Sequence, residues 1–264
     1  MTQYSFIEKG IFYKHDITET PTREAYYMHT HNIFELLYFI SGDASQIIED
    51  KRYKLTPGDL ILTRPFKYHY VNIDRPICYE RFDILIDPEL AGIDNIDLYP
   101  ADSEIISVGT SGIARELFDR IDLYTHYYSG DRLYDVIKLS VKELFYSLPT
   151  INAATGSGSV ISPILTDALE YVNKNLFTIK DISEVSSALF VSPSYLYRLF
   201  AKELRKTPKE YIREKRLLAA EDLISKGAKP TEIFSRCGFL DYTVFYRNYK
   251  SFFGKSPSGS KLKI

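Results

Sequence analysis

The feature that most limits what this chain can fold into is a repeat of itself. Between Thr178 and Pro257 the sequence superimposes on itself at an offset of 49 residues. Phe190 falls on Phe239, Ser192 on Asp241 and Leu196 on Phe245. Tyr197-Arg198 falls on Tyr246-Arg247, Phe200 on Tyr249, Lys206 on Lys255 and Pro208 on Pro257. Two copies are too few to close a solenoid, whose units need neighbours on both sides. The repeat therefore implies a pair of related supersecondary units within one small domain.

Each copy reads as helix, tight turn, helix. In the first, Thr178 and Asp181 have the spacing of a capping box. Ile179, Ile182, Val185 and Leu189 follow at helical spacing. After the turn at Phe190-Val191, Ser192 offers an N-cap oxygen and Pro193 suits the first helical position. Leu196, Leu199 and Phe200 would face inward, leaving Ser194, Tyr195, Tyr197 and Arg198 outward. In the second copy a short helix, Thr231 to Cys237, precedes the turn at Gly238-Phe239. Asp241 caps a helix with Phe245 and Tyr249 inward and Tyr242, Thr243, Tyr246, Arg247 and Lys250 outward. This is the helix-turn-helix pattern, whose second helix enters the major groove of double-stranded DNA. The competing reading is a helical bundle with a solvated polar face. Charge favours the first. Residues 160–264 hold 18 Lys+Arg against 11 Asp+Glu, whereas residues 1–159 hold 15 against 24. A basic half beside an acidic half suits one polyanion-binding domain and one with another task.

Residues 160–257 resemble the AraC-type transcription regulators. The resemblance rests on Val191-Ser-Pro-Ser-Tyr-Leu-Tyr-Arg-Leu-Phe200, Glu210-Tyr-Ile-Arg-Glu-Lys-Arg216 with Ala219-Ala220, and Gly238-Phe239. Phe245-Tyr-Arg-Asn-Tyr-Lys250 and Gly254-Lys-Ser-Pro257 complete it. It implies two helix-turn-helix units joined by a long helix, here Pro208 to Ser225. At ~1.5 Å per residue that helix holds the readers roughly one DNA turn apart. Two positions depart from the family pattern. Arg205 stands where Gly254 supplies glycine in the second copy, at a site prone to left-handed backbone. The chain ends Ser258-Gly-Ser-Lys-Leu-Lys-Ile264 without the usual Tyr-Arg, which points to a frayed last turn.

The 264 residues suit two domains, each able to bury a core. Cys78 and Cys237 lie far apart in sequence, so no disulfide framework is expected, in keeping with a cytoplasmic protein. The N-terminus has no basic flank with an apolar core, and no apolar run approaches the ~18 residues of a membrane span.

Residues 1 to about 110 read as short strands and turns. Phe34–Ile40 is apolar and closed by Ser41-Gly42-Asp43. Ala44–Glu49 alternates, Asp50-Lys51 makes a hairpin turn, and Arg52–Leu55 follows. Pro57-Gly58-Asp59 turns into Leu60–Leu62, and Val71–Ile73 and Ile77–Ile86 supply further strands. Such spacing suggests a sandwich or barrel. His29-x-His31-x3-Glu35-x6-Gly42 resembles the first signature of the cupin barrels, and Pro57-Gly-Asp59 with Pro65 and His69 resembles the second. Arg23 and Lys67 replace two expected glycines. The resemblance implies a divalent-metal set of His29, His31, Glu35 and His69. Two histidines at i, i+2 on a strand point the same way, as a shared ion needs. In the regulators this barrel is a sensor, so these residues are expected to converge as hydrogen-bonded pocket wall, with no metal and no other cofactor. The candidate effector pocket comprises His29, His31, Glu35, Tyr38, Arg64, His69 and Arg81, within walls rich in Tyr and Phe. A sugar or another small metabolite is the expected effector.

From Gly112 the period becomes helical. Ile113, Leu117, Ile121 and Tyr124 form one stripe. Leu133, Val136, Ile137, Leu144 and Phe145 form another after the break at Ser129-Gly130-Asp131. One stripe is expected to cover the barrel and the other to meet a second subunit. Thr150 to Ser159, rich in Gly and Ser, reads as a flexible linker. The expectation is an α+β protein of two domains. Residues 1–149 form a cupin-like sensor (barrel about 1–110, helical pair about 112–148), 150–159 the linker, and 160–264 the all-α DNA reader. Its partners would be double-stranded DNA, a small-molecule effector, a second copy of the chain and, for an activator, RNA polymerase, with no membrane. An alternative of another class is a metal-dependent cupin enzyme with a helical interaction tail.

Overall fold

The computed structural model divides the chain into two compact units, residues 1–159 and 160–264. It describes all residues except 1, 9, 23, 24, 27, 88, 90, 91, 94–103, 152, 153, 156, 157, 161 and 260–264. For residues 2–8, 154, 155, 160 and 259 it describes the backbone alone. Most of the stretch 89–102 and the end of the chain thus lie outside the described residues.

The first unit is an antiparallel sheet bent around an apolar interior. Its strands are β1 (Thr2–Glu8), β2 (Ile11–Thr18), β3 (Phe34–Ile48), β4 (Lys51–Lys54), β5 (Asp59–Thr63), β6 (His69–Ile86), β7 (Ile105–Ser107), β8 (Ala154–Thr155) and β9 (Ser159–Val160). The order β1-β2-β6-β3-β5-β7-β8 places the two longest strands, β3 and β6, side by side at the centre. Each was expected as two shorter strands. The polar Ser41-Gly42-Asp43 segment does not end β3 but kinks it. The register against β6 slips between Phe39 and Ala44, and both strands continue beyond. Gly42, at φ +131, makes the kink possible: a Cβ there would stand 3.0 Å from the Tyr79 ring. The first half of β3 then pairs with β5 and its second half with β4.

Side chains alternate across this sheet. Leu37, Phe39, Ala44, Ile48, Tyr53, Ile61, Val71, Ile73 and Tyr79 fill the interior. Leu36, Tyr38, Leu60, Leu62, Phe82 and Ile84 face the other way, beneath α1 (Ile113–Tyr127) and α2 (Gly130–Ser147). Both expected helical stripes meet this second core: Leu117 and Ile121 of α1, joined by Phe118, and Leu133, Ile137, Leu144 and Phe145 of α2, with Tyr124 and Val136 packed against it. Neither stripe is left for a partner, and Ile113 is exposed instead. Other apolar side chains also remain outward, among them Leu123, Tyr127, Leu139 and Tyr146. A polar cluster also ties α1 to the sheet. His15 Nδ1 lies 2.5 Å from Asp122 Oδ2, His15 Nε2 lies 3.1 Å from Glu80 Oε1, and the Tyr13 hydroxyl donates to Asp122 Oδ1 at 2.5 Å. Burial works against a charge on His15, but these two carboxylates outweigh it and raise its pKa. The segment read as a flexible linker also contributes to the sheet. Ala154–Thr155 pairs with β7, and the Ser159 hydroxyl donates to the Arg52 carbonyl at 3.2 Å.

The second unit holds α3 (Pro163–Lys174), α4 (Ile182–Ala188), α5 (Pro193–Leu204), α6 (Pro208–Ser225), α7 (Pro230–Ile233) and α8 (Tyr242–Phe253). The capping box of α4 is Asp181 with Glu184, one turn later than the expected Thr178 with Asp181. Ile179 is buried before the helix starts, and the Thr178 hydroxyl donates to the Asn175 carbonyl instead. The linking helix α6 has the expected limits, opened by a capping box of Thr207 and Glu210. Arg205 does adopt the left-handed conformation, at φ 52, where its counterpart Gly254 has φ 68. A non-glycine residue there is strained.

Candidate functional site

Two regions bring chemistry-bearing residues together. In the first unit, His29, His31, Glu35 and His69 offer four ligand atoms all within 4.8 Å of one another. Glu35 lies at the start of β3 and His69 at the start of β6. The two other histidines are not on a regular strand, as had been expected. His29 forms a lone bridge with His69, through two backbone hydrogen bonds of 3.0 Å. His31 is held where its carbonyl accepts the Phe66 amide at 2.8 Å.

Hydrogen bonds to carbonyls determine which imidazole nitrogens face inward. His31 Nδ1 donates to the Ile33 carbonyl at 2.8 Å, and His69 Nδ1 donates to the Lys67 carbonyl at 2.9 Å. A carbonyl only accepts, so both Nδ1 atoms carry hydrogen. Both Nε2 atoms then point at one oxygen, Glu35 Oε2, from 3.0 and 3.1 Å, with His29 Nε2 at 3.9 Å. In neutral imidazoles those Nε2 atoms are bare lone pairs facing a carboxylate. A cation, either protons on the rings or a metal ion, must relieve that contact. Burial alone would raise the Glu35 carboxyl. The His69 charge and the hydrogen bonds from the three histidines hold it well below the usual range. The donor set, one carboxylate and three imidazoles of which two have backbone-fixed tautomers, fits a divalent ion.

The cluster forms one wall of a cavity of about 580 Å³, within the range of small-molecule sites. Of the seven expected pocket residues, His29, His31, Glu35, His69 and Arg81 line it. Tyr38 does not. It lies an odd number of residues from Glu35 on the same strand, so it faces the helices, where its hydroxyl donates to the Gly109 carbonyl at 2.8 Å. Arg64 is also absent from the lining; it lies in the turn after β5. Sequence reasoning missed the polar residues of the opposite wall: Lys14, Asp16, Gln46 and Asp83. The alternation Phe12-Lys14-Asp16-Thr18 was its available signal. Lys14 sits opposite Asp83 and Asp16 opposite Arg81 in the β2–β6 register. Arg81 Nε donates to Asp83 Oδ2 at 2.6 Å. Asp83 Oδ1 and Gln46 Oε1 are buried without a hydrogen-bond partner among the described residues. Burial raises the Asp83 carboxyl.

In the second unit the second helices of the two copies are built alike, whereas the first helix of the second copy is the four-residue Pro230–Ile233, shorter than the expected Thr231 to Cys237. The Ser192 hydroxyl caps α5 by accepting the Tyr195 amide at 3.2 Å, and the Asp241 carboxylate caps α8 by accepting the Val244 amide at 2.9 Å. Leu196, Leu199 and Phe200 of α5, and Phe245 and Tyr249 of α8, are buried. Ser194 and Arg198 are exposed on α5, with Tyr195 and Tyr197 half-buried beside them. Thr243, Arg247 and Lys250 are exposed on α8, with Tyr242 and Tyr246 half-buried. None of the nine residues read as DNA-facing is fully buried, although Tyr242 packs against the core beside Phe234 and Phe245. Beyond each helix a lysine returns to α6. Lys206 Nζ donates to Glu214 Oε2 and its repeat counterpart Lys255 Nζ to Glu221 Oε1, both at 2.8 Å.

A bent sheet enclosing a polar-walled cavity, followed by two helix-turn-helix units on a shared helix, defines a ligand-binding, DNA-binding protein. Comparison with known proteins identifies both domains. The model of the AraC-like ligand-binding domain matches residues 17–94, and a helix-turn-helix domain model matches 185–261. The chain thus combines an AraC-like ligand-binding domain with a helix-turn-helix DNA-binding domain, as the AraC-type transcription regulators do. The probable transcriptional regulator LumQ of Photobacterium leiognathi is 32% identical over 89 residues, covering 33% of this chain and 36% of that protein. XylDLEGF operon transcriptional activator 3 of Pseudomonas putida is 25% identical over 225 residues, covering 84% and 65%. The matches span 30% to 36% of the length of several curated relatives. A crystal structure of ToxT from Vibrio cholerae aligns over 97% of this chain and 100% of its own, at 13% identity and a TM-score of 0.40. Among the described residues no helix is long and apolar enough to cross a membrane.

Proposed function

We propose that this chain is a cytoplasmic, effector-responsive regulator that reads double-stranded DNA with α5 and α8. The observation that carries the reading is the matched pair of polar helix faces, built at the same offset and anchored to one helix by equivalent Lys–Glu pairs. Ser194, Tyr195, Tyr197 and Arg198 form one reading face; Tyr242, Thr243, Tyr246, Arg247 and Lys250 form the other. Binding will be salt-sensitive, since phosphate contacts dominate affinity. Selection from genomic fragments by the immobilised full chain tests this. Enrichment of a common motif supports it, and retention without any shared sequence refutes it. RNA polymerase is a partner if the regulator activates.

The effector is a hydroxyl-rich metabolite such as a sugar. Two buried acceptors, Asp83 Oδ1 and Gln46 Oε1, want donors from the ligand, while Arg81 and Lys14 supply charge beside them. The alternative, a metal-dependent cupin enzyme, would bind metal and fail the DNA selection.

The geometry of the histidine cluster favours a divalent ion at His29, His31, Glu35 and His69, against the expectation drawn from sequence. Such an ion would supply a Lewis-acidic anchor for an effector oxygen. Protein dialysed against zinc, then against metal-free buffer, is expected to keep about one ion per chain, and His69→Ala to lose it. Metal-free wild-type protein after that treatment would leave the cluster as proton-bridged pocket wall.

The chain is a homodimer through the outer face of α1 and α2. Leu123 and Leu139, 52% and 65% exposed, flank the Arg120–Glu143 ion pair there. The full chain should sediment as a dimer at micromolar concentration, and the Leu123→Glu, Leu139→Glu double variant as a monomer. Wild-type protein that stays monomeric at high micromolar concentration would sink the dimer.

A further inference from the structure

The Lys–Glu anchors fasten each reader to α6 separately; a different side chain joins the readers to each other. Arg216, on α6 and on neither DNA-facing surface, is held by three hydrogen bonds. Its Nε donates to the Leu176 carbonyl at 2.8 Å and its Nη2 to the Ile179 carbonyl at 2.6 Å. Its Nη1 donates to the Gly238 carbonyl at 2.9 Å. Leu176 and Ile179 lie in the segment that enters the first helix-turn-helix, and Gly238 lies in the turn of the second. All three acceptors are backbone atoms, so no side-chain rotation can absorb a shift between them.

Gly238 records how close the approach is. It has φ +82, and a Cβ there would stand 2.7 Å from Arg216 Nε and 2.9 Å from the Phe177 carbonyl oxygen. Even alanine would push the guanidinium out of place. The planar fork of arginine can meet three fixed carbonyls at once; the ammonium of lysine is a point donor on a flexible stem. Removing the fork leaves carbonyls from both readers without their partner.

We propose that Arg216 is the positioning residue that sets the separation and rotation of α5 relative to α8, and so the spacing of DNA boxes the protein accepts. This rests on the DNA-reading function above. Two recognition helices held at one separation bind two boxes as a preorganised pair. If the separation is free, one spacing is no longer favoured over its neighbours.

The test begins with random-sequence duplexes selected by the wild-type full chain. Affinities are then measured on the selected two-box duplex, on versions with the boxes moved by one or two base pairs, and on a version with one box scrambled. Arg216→Gln is expected to bind the native spacing roughly tenfold more weakly and the single box within about threefold of wild type. Its preference for native over shifted spacing should largely vanish. Arg216→Lys should fall between, and Gly238→Ala should repeat the spacing defect with Arg216 still present. A glutamine variant that keeps the wild-type spacing preference overturns the proposal. So does one that melts earlier and loses single-box and two-box binding equally, if Arg216→Lys then shows wild-type spacing preference. Failure of wild-type protein to enrich any duplex is a separate result: it removes the DNA-reading itself, and this proposal with it.

Discussion

Alanine at Arg198 and alanine at Arg247 will each weaken binding to the selected duplex by ~1–3 kcal/mol, the scale of a lost bidentate base contact. The two arginines occupy equivalent positions of the repeat, each six residues past the N-cap of a recognition helix, and both are exposed. Each should relax specificity only within its own box. The losses should add, because the two arginines lie on different helices and read different boxes. Mutation of a phosphate-contacting residue would instead weaken all sequences alike and reduce the salt slope. Fluorescence anisotropy on the selected duplex and on single-box substitutions separates these cases. If both variants bind every duplex as wild type does, the reading faces are wrongly assigned.

Phe82→Ala will destabilise the first unit by ~3–5 kcal/mol, the cost of deleting a fully buried aromatic ring. Phe82 projects from β6 into the core shared with α1, stacked on Phe118 with centroids 4.9 Å apart and planes at 12°. His15, which carries the polar cluster on Asp122, lies 4.1 Å away, centroid to centroid. The hole would open under both attachments of α1. Urea unfolding followed by circular dichroism should show an earlier transition for the first unit and an unchanged one for the second. A loss below about 1 kcal/mol would mean that the helical pair is not held to the sheet by this core.

The parts of the fold that read cleanly from sequence were those specified locally. Pro208 to Ser225 and the start of α5 at Ser192-Pro193 matched because cap, proline and apolar period all sit within one stretch of chain. Where two local patterns overlapped, tertiary packing chose: burial of Ile179 moved the α4 capping box from Thr178 to Asp181. The kink in β3 at Gly42 reads locally as a strand end, because nothing nearby announces that β6 runs alongside. Of the candidate pocket, the His/Glu set was legible through spacing. Tyr38 was not, although a period of two along β3 already separates it from Glu35. The opposite wall of Lys14, Asp16 and Asp83 depended on the pairing of β2 with β6, which no single strand states.

The linking helix carries obligations on several sides at once: Glu214 to the first reader, Glu221 to the second, Arg216 to both. One inserted residue would turn everything beyond it by about 100° and separate those commitments. The reading faces carry no such shared duty. A lineage descended from this chain can therefore drift in what each DNA box says, one box at a time. The distance between the boxes is inherited as a unit, and changing it would require rebuilding the whole helix in one step.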